Sequence, residues 1–193
     1  NPTVPIVSDG AEPTDDYLPQ PVASVEAAVD YLVDNGISEP GRLAVAGRSY
    51  GAFSSANLLA HSDLFRAGIA RSGAYNRTLT PFGFQNESRT FWEVPDIYAR
   101  MSPFWVAHKI NEPILLIHGE ADNNSGTFPI QSERLFEALR GSGGTARLVM
   151  LPHEAHGYRA RESVQHAWWE QIEWFDRYVK QAKPKDQAAV GGN

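Results

Sequence analysis

The chain has 193 residues, of which 42% are hydrophobic and 21% are charged, and this composition is typical of one globular domain. Its formal net charge of −6 argues against a nucleic-acid partner, which requires a basic surface. The absence of cysteine excludes disulfides, zinc–thiolate sites and thiol catalysis. No segment approaches the roughly 18 consecutive apolar residues of a membrane span. These properties leave the cellular compartment open.

Three regions are predicted along the chain. Residues 1–21 hold a strand remnant at Ile6-Val7 and a polar loop, residues 22–180 form the folded part, and residues 181–193 form a flexible polar tail. The chain begins without an initiator Met or a signal peptide, so we expect it to be a segment of something longer.

Helices and strands alternate within the folded part. Strands are predicted where short apolar runs occur, at 42–46, 65–70, 113–119 and 146–151. Helices are predicted at 22–35, 52–60, 105–109, 130–139 and 161–180. This alternation predicts an α/β fold, in which a parallel sheet is covered by helices on both faces.

Two segments of this pattern carry more specific expectations. Residues 74–102 show no period and are rich in aromatic residues, which favours a long functional loop. The last helix is predicted to bury one continuous apolar stripe, formed by Val164, Trp168, Ile172, Phe175 and Val179.

A G-x-S-x-G motif, Gly47-Arg48-Ser49-Tyr50-Gly51, separates the strand at 42–46 from the helix at 52–60. This is the pattern of a nucleophile elbow, a strained turn that exposes a serine hydroxyl at the top of a sheet. The Tyr50 N–H and the helix N-terminus would then face an oxyanion. The alternative is a glycine-rich turn with a solvated serine.

Two further polar residues follow strands. Asp122 comes after the strand at 113–119 and His156 after the strand at 146–151, so with Ser49 they lie where parallel sheets bind ligands. The order serine, acid, histidine is that of the α/β-hydrolase fold. A histidine can take the serine proton near neutral pH and return it to the leaving group, while a carboxylate fixes the histidine tautomer. The pattern therefore indicates acyl transfer to water.

Each of these residues has an alternative interpretation. Asp122 can instead cap the next helix, and His156 can be a surface residue. His153 is a competing base, although the position of His156 directly before Gly157 better suits a flexible catalytic loop. His118 closes a strand and is interpreted as structural.

Metal-binding patterns are weak. The two histidines of His153-Glu154-Ala155-His156 are three residues apart, which is not the H-E-x-x-H spacing. Residues 122–126 resemble the start of a calcium loop but have Gly at the fifth position, where a ligand side chain is needed. We therefore expect no metal and no cofactor.

Segments 47–53, 117–122 and 153–158 together resemble the catalytic domain of the prolyl oligopeptidase family of serine peptidases. Residues 70–87 resemble its glutamyl endopeptidase branch in particular. The resemblance implies an α/β-hydrolase fold, of which residues 22–180 are the C-terminal part. It also implies Ser49 as nucleophile, Asp122 as acid and His156 as base, acting on a peptide or protein substrate.

Two parts that family members contain are absent from this sequence. Family members have an N-terminal β-propeller and an earlier hydrolase segment that supplies the second oxyanion donor, so we expect both to be provided in cis or as a separate chain. Preference for glutamate requires a cation in the specificity pocket, and the candidates in loops on the proposed active face are Arg71, Arg77, Arg89 and Arg159. Arg77 and Arg89 are predicted because the aromatic loop around them should line the pocket, and the alternative for each arginine is a solvated loop or a structural salt bridge. An esterase or lipase on the same fold, and a non-catalytic scaffold fragment, are the alternative functions.

Overall fold

A computed structural model describes residues 18–85 and 87–182. Its strands are β1 (Ala44–Arg48), β2 (Ala67–Arg71), β3 (Ile114–Gly119) and β4 (Ala146–Leu151). Its α-helices are α1 (Pro19–Asp34), α2 (Tyr50–His61), α3 (Pro95–Met101), α4 (Ile130–Gly141) and α5 (Arg161–Phe175). Two 3₁₀ segments, Arg77–Leu79 and Pro103–Lys109, and a π-helical segment, Asp176–Lys180, complete the described elements.

The four strands form one parallel sheet in the order β1-β2-β3-β4. β3 is buried along its whole length, as its apolar sequence predicts. Because each crossover between neighbouring strands passes through helical structure, the carboxyl ends of the strands share one edge of the sheet. The predicted α/β architecture is confirmed.

The sheet has a hydrophobic core on each face. On one face, α1, α2 and α4 pack against strand residues such as Ala70, Ile114 and Leu116. On the other face, α5 packs Ala167 and Trp174 against the alternate strand residues, which are Ala67, Ile69, Leu115, Ile117, Val149 and Leu151. The period-2 alternation of the strands thus divides the core into two layers.

The predicted stripe of the last helix is correct only in part, because Phe175 and Val179 pack against the core but two other members do not. Trp168 is 60% exposed and Ile172 is 55% exposed, whereas the buried residues are Ala167, Glu170, Gln171 and Trp174. Glu170 tolerates this position because it forms an ion pair with Arg147 of β4. The helix is therefore rotated from the orientation that the apolar pattern predicts.

The aromatic segment contains more regular structure than its sequence predicts. α3 and the 3₁₀ turn at Arg77–Leu79 both lie within residues 74–102. The predicted N-terminal loop ends at residue 21, but α1 already begins at Pro19. The predicted strand remnant at Ile6-Val7 lies outside the described residues, as does most of the predicted tail. None of the described helices has the length and apolar character needed to cross a membrane.

Candidate active site

The G-x-S-x-G motif forms a sharp turn between β1 and α2. Ser49 has φ 57° and ψ −118°, a positive-φ conformation that costs free energy for a residue other than glycine. Its N–H donates to Arg71 O at 2.8 Å, which joins the turn to the neighbouring strand β2. A Cβ on Gly47 would overlap the backbone of Gly51, so the turn requires glycine at position 47.

The serine hydroxyl is not used to stabilise the turn. Ser49 is the N-cap of α2, yet its side chain makes no capping hydrogen bond. Tyr50 is the first residue of α2, so its N–H has no partner four residues earlier within the helix. The Ser49 hydroxyl, which makes no capping hydrogen bond, therefore lies beside an N–H group at the positive end of a helix.

Asp122 is buried in the loop that follows β3 and accepts three hydrogen bonds. Its Oδ1 accepts from the Asn124 N–H at 3.0 Å. Its Oδ2 accepts from His156 Nδ1 at 2.9 Å and from His118 Nε2 at 3.0 Å. The structure thus brings the predicted acid and the predicted base together, and adds a second histidine.

His118 is fully buried and donates to the same carboxylate oxygen of Asp122 as His156. Its Nε2 faces both Asp122 Oδ2 and Thr127 O, at 3.0 Å and 2.7 Å, so this nitrogen must carry a proton. Its Nδ1 lies 2.6 Å from Ser132 Oγ. Burial lowers the pKa of His118 below its ordinary value, which favours the neutral ring, and in that form Nδ1 accepts from the Ser132 hydroxyl.

His156 presents its second nitrogen to the site. Nδ1 donates to Asp122 and also lies 3.1 Å from Thr127 Oγ1, and the side chain is 22% exposed. Among the described residues, Nε2 of His156 has no hydrogen-bond partner, and no hydrogen bond joins it to Ser49 Oγ. Such hydrogen bonds commonly tighten only when substrate binds. The competing base, His153, is exposed and has φ 63°.

The loop that carries His156 is fixed by backbone contacts. Arg48, the residue before the serine, donates to His156 O from Nη2 at 2.9 Å and from Nε at 3.3 Å. Ala121 N–H donates to Glu154 O at 2.9 Å, which joins this loop to the Asp122 loop. The Glu154 carboxylate accepts from the Arg159 N–H, which holds its pKa below the ordinary value.

The two predicted specificity arginines lie in the aromatic segment in different settings. Arg77 is buried, with its guanidinium 4.5 Å from the centre of the Phe84 ring and 5.5 Å from that of Phe53 in α2. Arg89 is partly exposed and forms a two-pronged ion pair with the buried Glu87 carboxylate, at 2.9 Å and 2.8 Å.

Gln131, the second residue of α4, joins the aromatic segment to the Asp122 loop. Its Oε1 accepts from the N–H groups of Tyr75 and Asn76 at 3.0 Å and 2.8 Å. Its Nε2 donates to Asn76 O at 3.2 Å and to Gly126 O at 3.0 Å. One buried amide therefore connects the two loops.

The comparisons with known proteins place this arrangement in a class. The structure superposes with a TM-score of 0.75 on a puromycin-hydrolyzing peptidase from Mycobacterium tuberculosis, at 24% identity, covering 86% of this chain and 26% of that one. At this identity the likeness shows the fold alone, which is that of α/β hydrolases.

The chain belongs to the prolyl oligopeptidase family, whose sequence pattern matches residues 16–182. It is 59% identical over 179 residues to a probable glutamyl endopeptidase, chloroplastic, of Arabidopsis thaliana, covering 92% of this chain and 19% of that protein. It is 57% identical over 186 residues to the protein of the same name in Oryza sativa, covering 95% of this chain and 20% of that protein. The chain thus spans about a fifth of the length of these relatives. The predicted family is confirmed.

Three residues at the site were not assigned a role there by the sequence. His118 was interpreted as structural, and no part was predicted for Thr127 or Arg48. The spacing of four residues between His118 and Asp122, across the end of a strand, indicates that the two side chains can meet. No such pattern indicates a role for Thr127 or Arg48, because their contacts with His156 join residues far apart in the chain.

Proposed function

We propose that this chain carries the catalytic serine, acid and histidine of a serine peptidase that works through an acyl-enzyme. The observation that carries the proposal is the 2.9 Å hydrogen bond from His156 Nδ1 to the buried Asp122, at the same sheet edge as the strained Ser49. Ser49 is the proposed nucleophile, His156 the base and Asp122 the acid. The backbone N–H of Tyr50 is the proposed oxyanion donor.

The proposed reaction begins with proton transfer from Ser49 Oγ to His156 Nε2. Oγ then bonds to the substrate carbonyl carbon, and the carbonyl oxygen becomes an oxyanion that accepts from the Tyr50 N–H. The tetrahedral intermediate breaks its C–N bond, and the leaving amine takes the proton from Nε2. Water, deprotonated by the same nitrogen, hydrolyses the acyl-enzyme and regenerates the Ser49 hydroxyl.

The proposed reaction uses no cofactor, because proton transfer and nucleophilic attack use only these side chains. It does not distinguish amide from ester substrates. The names of the relatives favour peptide bonds, and esterase activity on the same residues is the second candidate.

We propose that residues outside this chain complete the site. Tyr50 supplies one oxyanion donor, and removing one such donor costs on the order of 100- to 1,000-fold in rate. The relatives are about five times longer than the matched segment, which leaves room for an earlier hydrolase segment and a propeller. We therefore expect slow turnover of peptides by the 193-residue chain and faster turnover by a longer protein that contains it.

Labelling with a fluorophosphonate probe tests the proposed residues. We expect mass mapping to locate the adduct on Ser49, and we expect Ser49→Ala to abolish it. Ser54→Ala, one turn along α2, is the matched control and should label like the wild type. An adduct at another residue, or an unchanged rate in His156→Gln, would contradict the proposed roles.

We also propose a preference for glutamate, with Arg77 and Arg89 as the partners of the substrate carboxylate. The relatives' name supports this preference, and so does the position of Arg77 beside α2, which begins at the nucleophile turn. The Arg77 charge also acts on the Tyr50 hydroxyl, opposing the rise in pKa that burial causes. Because Arg89 forms an ion pair with Glu87, a substrate carboxylate would compete with Glu87 for it.

Peptidyl phosphonates with Glu or Gln at the reacting position measure this preference through the labelling rate of Ser49. In Arg77→Gln, the Glu-over-Gln ratio should fall by about tenfold or more, since a charge-assisted hydrogen bond contributes about 1.5–3 kcal/mol. Arg134→Gln, on the exposed face of α4, is the control. An unchanged ratio in both Arg77→Gln and Arg89→Gln would overturn the assignment, while leaving the serine mechanism intact.

A further inference from the structure

Two arginines lie side by side on the α5 face of the sheet. Arg48 and Arg71 are the last residues of β1 and β2, and they pair directly in the parallel register. Neighbouring strands are about 4.8 Å apart, and paired residues point to the same face. Both side chains line a cavity of about 230 Å³ with Tyr158, Trp168 and Gln171.

The positive charge of this pair is not balanced locally. Across residues 18–85 and 87–182, neither arginine forms an ion pair, and the residues that line the cavity include no carboxylate. Arg71 Nε is buried without a hydrogen-bond partner. A buried donor left without an acceptor costs free energy, so an anionic acceptor at this position would be stabilised.

The effect of both charges is visible at Tyr158. Burial raises the pKa of its hydroxyl, and the guanidinium groups of Arg71 and Arg48 oppose that rise. Asp122 is the carboxylate that acts on the same hydroxyl, and it is already bonded to His118 and His156. Both cations therefore lie close enough to the Tyr158 hydroxyl to act on its ionisation.

We propose that Arg48 and Arg71 form a binding site for an oxyanion of the carboxylate or phosphate type. Planar guanidinium groups match the oxygen spacing of such anions and bind them through paired N–H donors. Arg48 already donates to His156 O, so a bound anion would share this side chain with the histidine loop. The anion comes either from solution or from an acidic side chain of a longer protein.

Inorganic phosphate is the probe, titrated into the 193-residue chain at constant ionic strength with chloride as the balancing anion. Trp168 lines the cavity, so its fluorescence reports binding, and Trp168→Phe identifies its share of the signal. We expect a saturable change that Arg71→Gln weakens by about tenfold or more and that Arg71→Lys weakens less. Arg134→Gln should bind like the wild type.

The same titration in a longer protein identifies the source of the anion. Binding in both proteins indicates an anion from solution, and binding in the 193-residue chain alone indicates that an acidic side chain fills the site in the longer protein. No saturable change in the shorter chain, or an equal change in folded Arg71→Gln and wild type, would overturn the proposal. Because the readout is binding, it does not depend on Ser49 being the nucleophile.

Discussion

The two halves of the candidate site are built by different means. The half that holds Asp122 and His156 is a network of side-chain hydrogen bonds, in which one carboxylate oxygen serves two histidines. The half that holds Ser49 depends on backbone geometry: a positive φ, a glycine that admits no Cβ, and a helix N-terminus. The first half is therefore sensitive to the chemistry of its side chains, and the second to their volume.

This difference explains why the two halves tolerate different changes. A network of buried polar groups loses stability when one member becomes unsatisfied. A strained turn instead loses stability when an added atom prevents its conformation. Substitutions that alter only chemistry or only volume should therefore separate the two halves.

The largest effect is expected for Asp122→Asn. The amide keeps the volume but removes the charge, and its NH2 group must face either the Asn124 N–H or the two histidine donors. The tautomer of His156 is then no longer fixed. Labelling of Ser49 by a fluorophosphonate should slow by about 10⁴-fold, the size seen when the acid of such a triad becomes an amide. Asp63→Asn, at an exposed position, is the control. A loss below tenfold would show that Asp122 does not orient the base.

The next largest effect is expected for an added side-chain atom in the turn that carries Ser49. Gly47→Ala should lower the free energy of unfolding by about 3 kcal/mol, because the new Cβ would overlap the Gly51 backbone. Gly51→Ala is the matched control: nothing lies within 4 Å of its added Cβ, so its effect should stay within about 1 kcal/mol. Urea denaturation measures both. Equal destabilisation by the two substitutions would contradict the packing described for the turn.

The buried His118 gives the network a pH dependence. Burial lowers its pKa in the folded state, so below about pH 6.5 the unfolded chain binds a proton that the folded chain does not. Stability should therefore fall as the pH drops from about 6.5 towards the lowered pKa, by at most about 1.4 kcal/mol per pH unit for this one group.

Thermal denaturation between pH 8 and pH 5 measures this dependence. His118→Gln should have a shallower slope than the wild type below about pH 6.5. The exposed His108→Gln should keep the wild-type slope. If His118→Gln and the wild type had equal slopes, the proton of His118 would not be linked to folding.

The smallest effect is expected for Thr127→Val. Its hydroxyl lies 3.1 Å from His156 Nδ1 and accepts from Asn124 Nδ2 at 2.9 Å, so its loss weakens the network without removing the carboxylate. We expect Ser49 labelling to slow by about three- to tenfold, as the loss of a net hydrogen bond of about 1 kcal/mol would cause. Thr127→Ser keeps the hydroxyl, so its Ser49 should be labelled at the wild-type rate. A loss as large as that of Asp122→Asn would mean that the threonine, and not the acid, orients the histidine.

Much of this arrangement could be predicted because the signals are local. Asp122 and His156 each follow an apolar run that forms a strand, and the G-x-S-x-G motif lies between a strand and a helix, so one parallel sheet collects all three at one edge. The second histidine is different, since its role depends on the conformation of residues 118–127. That conformation places Thr127 O beside the ring, which no periodicity indicates.

The errors have a physical origin as well. The sequence of α5 contains an apolar stripe, but it does not show which side of the helix faces the sheet. An ion pair such as Arg147–Glu170 allows a charged residue to be buried, so the apolar side need not be the one that packs. α3 was missed because its buried residues, Ile97, Tyr98 and Met101, cover only two turns. The pairing of Arg48 with Arg71 depends on strand register, which the separate strands do not specify.

The amide of Gln131 has a consequence for hydrogen exchange. The N–H groups of Tyr75 and Asn76 both donate to its single oxygen, and its nitrogen donates to Asn76 O and Gly126 O. These two backbone N–H groups cannot exchange with solvent until the side chain leaves, and that departure also releases the loop that follows Asp122. The aromatic segment and the acid loop should therefore open as one cooperative unit, with one opening free energy.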